Sequence, residues 1–514
     1  MAEFARFSRL RWQNVSRLKS CDFSYHWACD FSYHWAEVWV WFRFRSAEVN
    51  RPEGKAAAWK SWLAAAGLLL PVVGLYAAHY AHGWAAGEVP TGFIQYDMAG
   101  YMAAAREHFD SGRFTLTYAN PASPSPDAPR IYFQPMTLLL GVLVRLTGED
   151  PGAVFVLFGL AAGLVAVRLA IAVFEDLVGL DSRAKKLTLV CFVWGGGLMA
   201  GSGAVYGLVT GTPVGASLWR FDPNQGWWFL NLGRNLVYPT EALYHALALG
   251  CLLALLRRRF AVATLLLAVL SASHPFTGIQ VIAIVLGWMV IEMLLAWQGA
   301  KRGQDPFPAK GSCPLFAAVL LLGAAHVGYY LVYLPSFEEH AALMRQWRLA
   351  AVLRLENMLP AYALVAGLTV WRCRRWALCR EVFSDSRNRL FGVWFAVSFL
   401  LANHEWLLAA HQPLHFTRGY LWMPLFLLGA PVLVALVHHL GPPSVQRVCR
   451  AISSSTSSVV MPAASPSKLS TMRWRSARCS TSSTSSRETA KRPSSSARTL
   501  PARIRAWAPR GLEP

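Results

Sequence analysis

The chain has 514 residues, 54% of them apolar and only 15% charged, with a mean hydropathy of +0.32. A soluble chain carries roughly a quarter charged residues, so a string of soluble domains is set aside. The formal charge of +21 does not indicate nucleic-acid binding. Residues 444–514 hold 13 Lys/Arg against 2 Asp/Glu, and much of the rest lies in the first 60 residues and in short links between apolar runs. Positive charge is placed this way when it orients a membrane protein.

Residues 1–54 form a basic leader in which CDFSYHWA occurs twice in tandem, a short duplication in a poorly constrained segment. Charges interrupt it, so it is not a signal peptide. The first apolar run, 59–82, is long enough to cross a bilayer. Basic residues before it and few after it place the N-terminus in the cytoplasm.

Further runs occupy 153–174, 187–208, 237–256, 260–272, 276–297, 315–334, 349–371, 390–410 and 420–440. The run 136–146 is short and contains Arg145. If it does not cross, ten spans result, and the later basic links all fall on the cytoplasmic side. If it crosses, every later loop changes side. The expected fold is therefore all-α, a polytopic transmembrane helix bundle of about ten to twelve spans occupying 55–441. The tail after Gly441 is rich in Ser, Arg, Ala and Pro and cannot bury a core. It reads as a spacer or as out-of-frame text more readily than as an anionic-lipid or nucleic-acid tail.

The nine cysteines show neither a disulfide framework nor metal-site spacing. Nucleotide-binding loops, His-Glu-x-x-His and the nucleophile elbow are absent from the sequence. WGGGLMAGSG sits within an apolar run, where close helix packing explains it better than phosphate binding.

The longest polar interruption is the first external loop, 83–135, which carries Asp97, Glu107 and Asp110. MAGYMAAAREHF within it has helical spacing; Asp97, Tyr101 and Ala105 share one face, and Arg106 and Asp110 stand four apart. Asp97 suits either an N-cap or a general base just outside the bilayer. Elsewhere on the same side lie Arg234 in NLGRN, His274 in SHPFTG, and His411, His415 and Arg418 in HQPLHFTRG. Arg418 either holds an anionic group or snorkels to head groups, and His274 reads first as a cap before Pro275. His404-Glu405 reads as a buried polar contact between helices.

A basic N-terminus, one span, an external loop with Asp97, Tyr101 and a short Ala-rich helix, a Gly-Arg-Phe turn, an Asn-Pro, and an aromatic-Gln-Pro at 133–135 follow in order. This order resembles the polytopic GT-C class of glycosyltransferases, in the shorter bacterial form. The resemblance covers about 59–440. It implies a polyprenyl-phosphate sugar donor, an external glycan, lipid or protein acceptor, and Asp97 as catalytic base in the inner membrane. It identifies Pro135 with the family's proline entering the second span, which favours 136–146 as a short span. The second acid is Glu107 or Asp110. Tyr101, His274 and His415 would line the site, Arg418 and Arg234 would hold phosphate, and the aromatic loop 219–229 would contact sugar. No cofactor is implied with certainty, and a role for a divalent metal is left open. The competing readings are a transporter or flippase of an amphipathic solute, and an assembly subunit without chemistry.

Overall fold

The computed structural model describes residues 55–94, 96–109, 114–121, 123, 127–195, 205–212, 231–301, 312–346, 355–408 and 412–439. The leader 1–54, the tail 442–514, Asp110, His411 and the loop 219–229 lie outside the described residues. The described chain is all-α, with a single isolated bridge pairing Tyr118 with Tyr132.

The helices in order are α1 (Lys55–Ala85), α2 (Tyr96–Glu107), α3 (Pro135–Thr147), α4 (Pro151–Val178), α5 (Arg183–Trp194), the single turn α6 (Leu232–Asn235), α7 (Pro239–Leu256) and α8 (Phe260–Ser273). Then come α9 (Pro275–Lys301), α10 (Ser312–Val327), α11 (Glu338–Gln346), α12 (Leu355–Arg372), α13 (Trp376–Ser384), α14 (Ser386–Ala402) and α15 (Trp422–His439). Six helices among the described residues are long and apolar enough to cross a membrane: α1, α4, α7, α9, α10 with its extension to Ser336, and α15. With their apolar faces packed on one another, they make the chain a multi-pass membrane protein.

Local chemistry sets the helix ends. Asp150 caps α4 by accepting the Ala153 N–H at 2.9 Å, with Pro151 in the first turn. Ser182 caps α5 and Asp385 caps α14 in the same way. Helix α3 starts on Pro135 and stops at Gly148, whose φ of 67° is left-handed and costs a glycine little.

Helix α7 is the centre of the bundle, with 83% of its apolar window buried against 22% for α1 and α10. It packs on α4 and α8, while α1 lies on α4, α14 on α9, and α12 on α15. Tyr76 of α1 donates to the Val237 carbonyl at 2.7 Å, and Trp194 donates to the Leu68 carbonyl at 2.8 Å.

Contacts also fix the direction of each helix. Arg257 at the end of α7 pairs with Asp176 at the end of α4 at 2.9 Å, and Arg387 at the start of α14 donates to the Asp176 carbonyl. Arg389 grips Glu292 of α9 through two bonds of 2.7 Å. These links, with Arg183, Lys185 and Lys186 of α5 and Arg372 of α12, form a basic end of the bundle. At the other end Pro239 meets Gly159 of α4, Ser273 meets Gln134, and His326 meets Ser271. Along with the six long helices, α5, α8, α12 and α14 follow this alternation.

Helix α3 does not. Its cap residue Gln134 donates to the Ser273 carbonyl at 3.1 Å, and its far end is four residues from Pro151, where Gly152 packs against Thr91. Both ends of α3 therefore stay away from the basic end. At 13 residues it spans about 20 Å, comparable with α5 and α8, so the position of its ends and not its length sets it apart. With both ends at one end of the bundle, 136–146 does not match the short-span reading and agrees with the non-crossing alternative for this segment.

Other boundaries differ from the apolar runs. The run 187–208 does not continue as one helix, because Gly195 leaves helical geometry at φ −64°, ψ 143° beside the Trp422 ring. The run 390–410 ends its helix at Ala402, where the Asn403 side chain donates to the Phe399 carbonyl at 2.7 Å. His404 and Glu405 thus sit in a 3₁₀ turn beyond the helix end rather than in a contact between helices.

The α4–α7 contact is tight. A Cβ on Gly159 would stand 2.6 Å from Pro239 Cβ, whereas one on Gly67 of α1 meets nothing within 4 Å. Gly159→Ala is expected to cost about 1–3 kcal/mol by overpacking. Gly67→Ala should cost nothing. Thermal unfolding of the two variants in detergent checks the contrast; equal midpoints would mean that α4 and α7 separate freely.

Candidate functional site

At the end opposite the basic links, polar side chains from distant parts of the chain meet around the start of α7. Tyr244 stacks on His274, with ring centroids 4.5 Å apart, and His274 stacks on His415 at 5.7 Å. Arg418, three residues further on, forms an ion pair with Glu241 in the first turn of α7, and both are buried. His245, one turn along α7, lies between the backbones: its Nδ1 is 2.8 Å from the Glu241 carbonyl and its Nε2 is 2.8 Å from the Arg418 carbonyl. Tyr420 covers its ring at 4.9 Å.

His274 is the only residue between α8 and α9. Its Nδ1 accepts the Thr277 N–H at 3.1 Å, so it caps α9. The cap expected from the sequence is present, at the corner of a hairpin. Gln280 on α9 donates to Ser398 of α14 and to the Phe416 carbonyl, tying the HQPLHFTRG segment to the bundle.

The loop side is built by residues 114–121 and 127–134. Tyr118 donates to Gln134 Oε1 at 3.1 Å and pairs its backbone with Tyr132. Tyr132 meets His340 of α11 at 3.1 Å. Beyond α10 the chain makes a π turn, Gly328–Tyr333, and Tyr329 from it accepts the Phe133 N–H and donates to the Ile131 carbonyl. Such turns are rare and occur often at functional sites.

Of the residues singled out from sequence, Tyr101, His274, His415, Arg418 and Arg234 converge here. Tyr101 stacks on Phe155 and faces Tyr244. Arg234 is buried in α6, whose Asn231 caps its N–H and whose Asn235 approaches Gly419. Burial works against the Arg234 charge, and the Tyr238 and Tyr362 hydroxyls are the groups that favour it.

Asp97 is the second residue of α2, one turn before Tyr101. The helix begins at Tyr96, so Asp97 lies in the first turn and not at the cap. Its side chain lies outside the described residues, as does Asp110. Glu107 closes α2 away from the cluster, and its carbonyl accepts from Arg130.

Sequence reasoning did not single out Glu241, His245, Tyr244, Gln280, Tyr118 or the π turn, and it noted Gln134 only within the aromatic-Gln-Pro of the resemblance. Glu241 carried a usable signal, as an acid inside an apolar run. Buried polar atoms here make no hydrogen bond within the protein, among them Glu241 Oε2, Gln280 Oε1 and the nearby Ser273 Oγ. Buried polar atoms seldom stay unpaired, so such a cluster suits a polar ligand or water. Among the described residues no group of three or more His, Cys, Asp or Glu is placed to hold a metal ion.

No family model, no curated protein and no solved structure matches the chain.

The loop adds a pH-sensitive joint. His108 is buried, with Nδ1 donating to the Thr115 carbonyl at 2.8 Å and Nε2 3.1 Å from Thr137 of α3. Burial first, and Arg130 after it, hold the imidazole below its usual range against the Thr115 bond. The folded state thus favours neutral His108, and its contribution to stability is present above about pH 6.5 and lost as pH falls below that value. The unfolding midpoint should drop on acidification from about pH 7.5 to about pH 5.5, and His108→Gln should flatten that drop. An unchanged slope in the variant would mean that other groups set it.

Proposed function

We propose that the protein is an integral membrane glycosyltransferase that moves a sugar from a polyprenyl-phosphate donor to an external acceptor. The observation that carries this reading is the gathering of Arg234, Arg418, His274, His415 and Tyr101 at one end of a membrane bundle, with Tyr101 one helical turn after Asp97 on α2. Cations and hydrogen-bond donors at such a place suit a leaving lipid phosphate.

In this reading an acceptor hydroxyl passes its proton to Asp97 as its oxygen bonds to the sugar C1. The C1–O bond to phosphate breaks, inverting the carbon, and the lipid phosphate departs with the negative charge. Glu241 holds Arg418 in position, and the departing phosphate competes with that carboxylate for the guanidinium. The basic end of the bundle faces the cytoplasm of a bacterial cell and the polar end faces outward.

Transport of a lipid-linked or amphipathic solute has weaker support. That reading draws on broken helices, and the His274-Pro275 break is the corner of an α8–α9 hairpin, not the middle of one interrupted helix.

The test is transfer by membranes carrying the full chain, supplied with a panel of labelled polyprenyl-phosphate sugars, beside a binding assay for the same lipids. Transfer from one donor supports the assignment. Binding and translocation of the lipid with no transfer from any donor overturns it in favour of transport.

A further inference from the structure

A groove of about 630 Å³ runs along the outside of the bundle between α4, α7 and α8. Its walls are apolar along their length, from Phe158 and Val165 on α4 to Leu247 and Leu266 on α7 and α8. Gly250 forms part of the floor: a Cβ there would stand 3.1 Å from Leu266 Cδ1 and 3.6 Å from Leu169 Cδ1. The only charged residues lining it are Arg257 and Arg259, and both are at the basic end.

We infer that this groove binds one acyl chain of an anionic phospholipid from the leaflet at the basic end, with the head group against Arg257 and Arg259. Three features select this occupant. An apolar slot open to the side of a membrane helix bundle meets lipid tails rather than soluble ligands. Leu243 to Arg257 on α7 covers about 20 Å, which matches one leaflet with its interface and is too short for a long polyprenyl chain. The charge at the mouth is positive beyond what Asp176 offsets, since Asp176 pairs with Arg257 alone of these two arginines. Basic pockets between membrane helices hold anionic head groups by this complementarity.

The arginine mouth of the groove lies at the opposite end of α7 from Glu241, its inner end reaches Leu243, and the site rests on the membrane reading alone. It persists if the sugar-transfer assignment fails.

The full chain, purified in detergent and then placed in nanodiscs of phosphatidylglycerol or phosphatidylcholine, provides the test by native mass spectrometry. Wild type is expected to retain one phosphatidylglycerol in preference to phosphatidylcholine. Gly250→Leu fills the groove and should lose that lipid. Val165→Phe obstructs the same groove from a position 41% exposed, so it keeps the test valid where the glycine variant misfolds. Arg259→Gln should weaken the preference for the anionic lipid about fivefold. Equal retention of both lipids by wild type, full retention in Val165→Phe, or preferential capture of an added polyprenyl phosphate would each overturn the proposal.

Discussion

Glu241→Gln will lower the unfolding midpoint sharply. The substitution leaves Arg418 charged, buried and without its carboxylate. Removing one partner of a buried ion pair costs about 3–5 kcal/mol, because the remaining charge has no solvent to return to. A typical fold is stable by only about 5–15 kcal/mol, so the loss is a large share of the total. The damage also spreads, since the Arg418 and Glu241 carbonyls both face His245. Thermal unfolding in detergent measures the effect. Replacing both partners with methionine should cost less than the sum of the single changes, because it removes the charges together. A Glu241→Gln midpoint equal to wild type would show that Arg418 is compensated by something other than this carboxylate.

Asp97→Asn is expected to reduce sugar transfer by about 10²–10⁴-fold, the usual contribution of a positioned general base. Donor binding and protein level should persist, since the amide keeps the size of the side chain. Glu107→Gln provides the comparison. Glu107 ends α2, where its backbone rather than its carboxylate is engaged by Arg130, so its rate should stay close to wild type. Single-turnover transfer in membranes separates the two variants from any change in lipid binding. If Asp97→Asn transfers at the wild-type rate, Asp97 is not the base; a larger loss from Glu107→Gln would move that role to the other end of α2.

Much of the architecture was legible because membrane insertion depends on quantities that a sequence carries locally. Apolar length announced α1, α4, α7, α9 and α15, and the links ending in Arg257 and Arg389 announced which ends lie together. The cap at His274 was legible for the same reason, since it needs only the Thr277 N–H three residues away. The cluster was less so. Arg418 and His245 meet across 173 residues, and no local pattern specifies that pairing. Gly195 and Asn403 ended helices inside apolar runs because hydropathy is blind to backbone geometry. The family resemblance pointed the other way on α3, where the Gln134–Ser273 contact and the packing of Gly152 on Thr91 keep both ends at one end of the bundle.

The path of α3 has a consequence for how the chain enters a membrane. Synthesis reaches α3 before any of the later basic links exists, and those links can still act on its placement once they are made. Because both of its ends stay at the polar end, α3 leaves the alternation of the later helices unchanged. The later arginines Arg257, Arg387 and Arg389 then share one end of the bundle. One short helix, made early, thus spares the rest of the chain a conflict between hydropathy and charge.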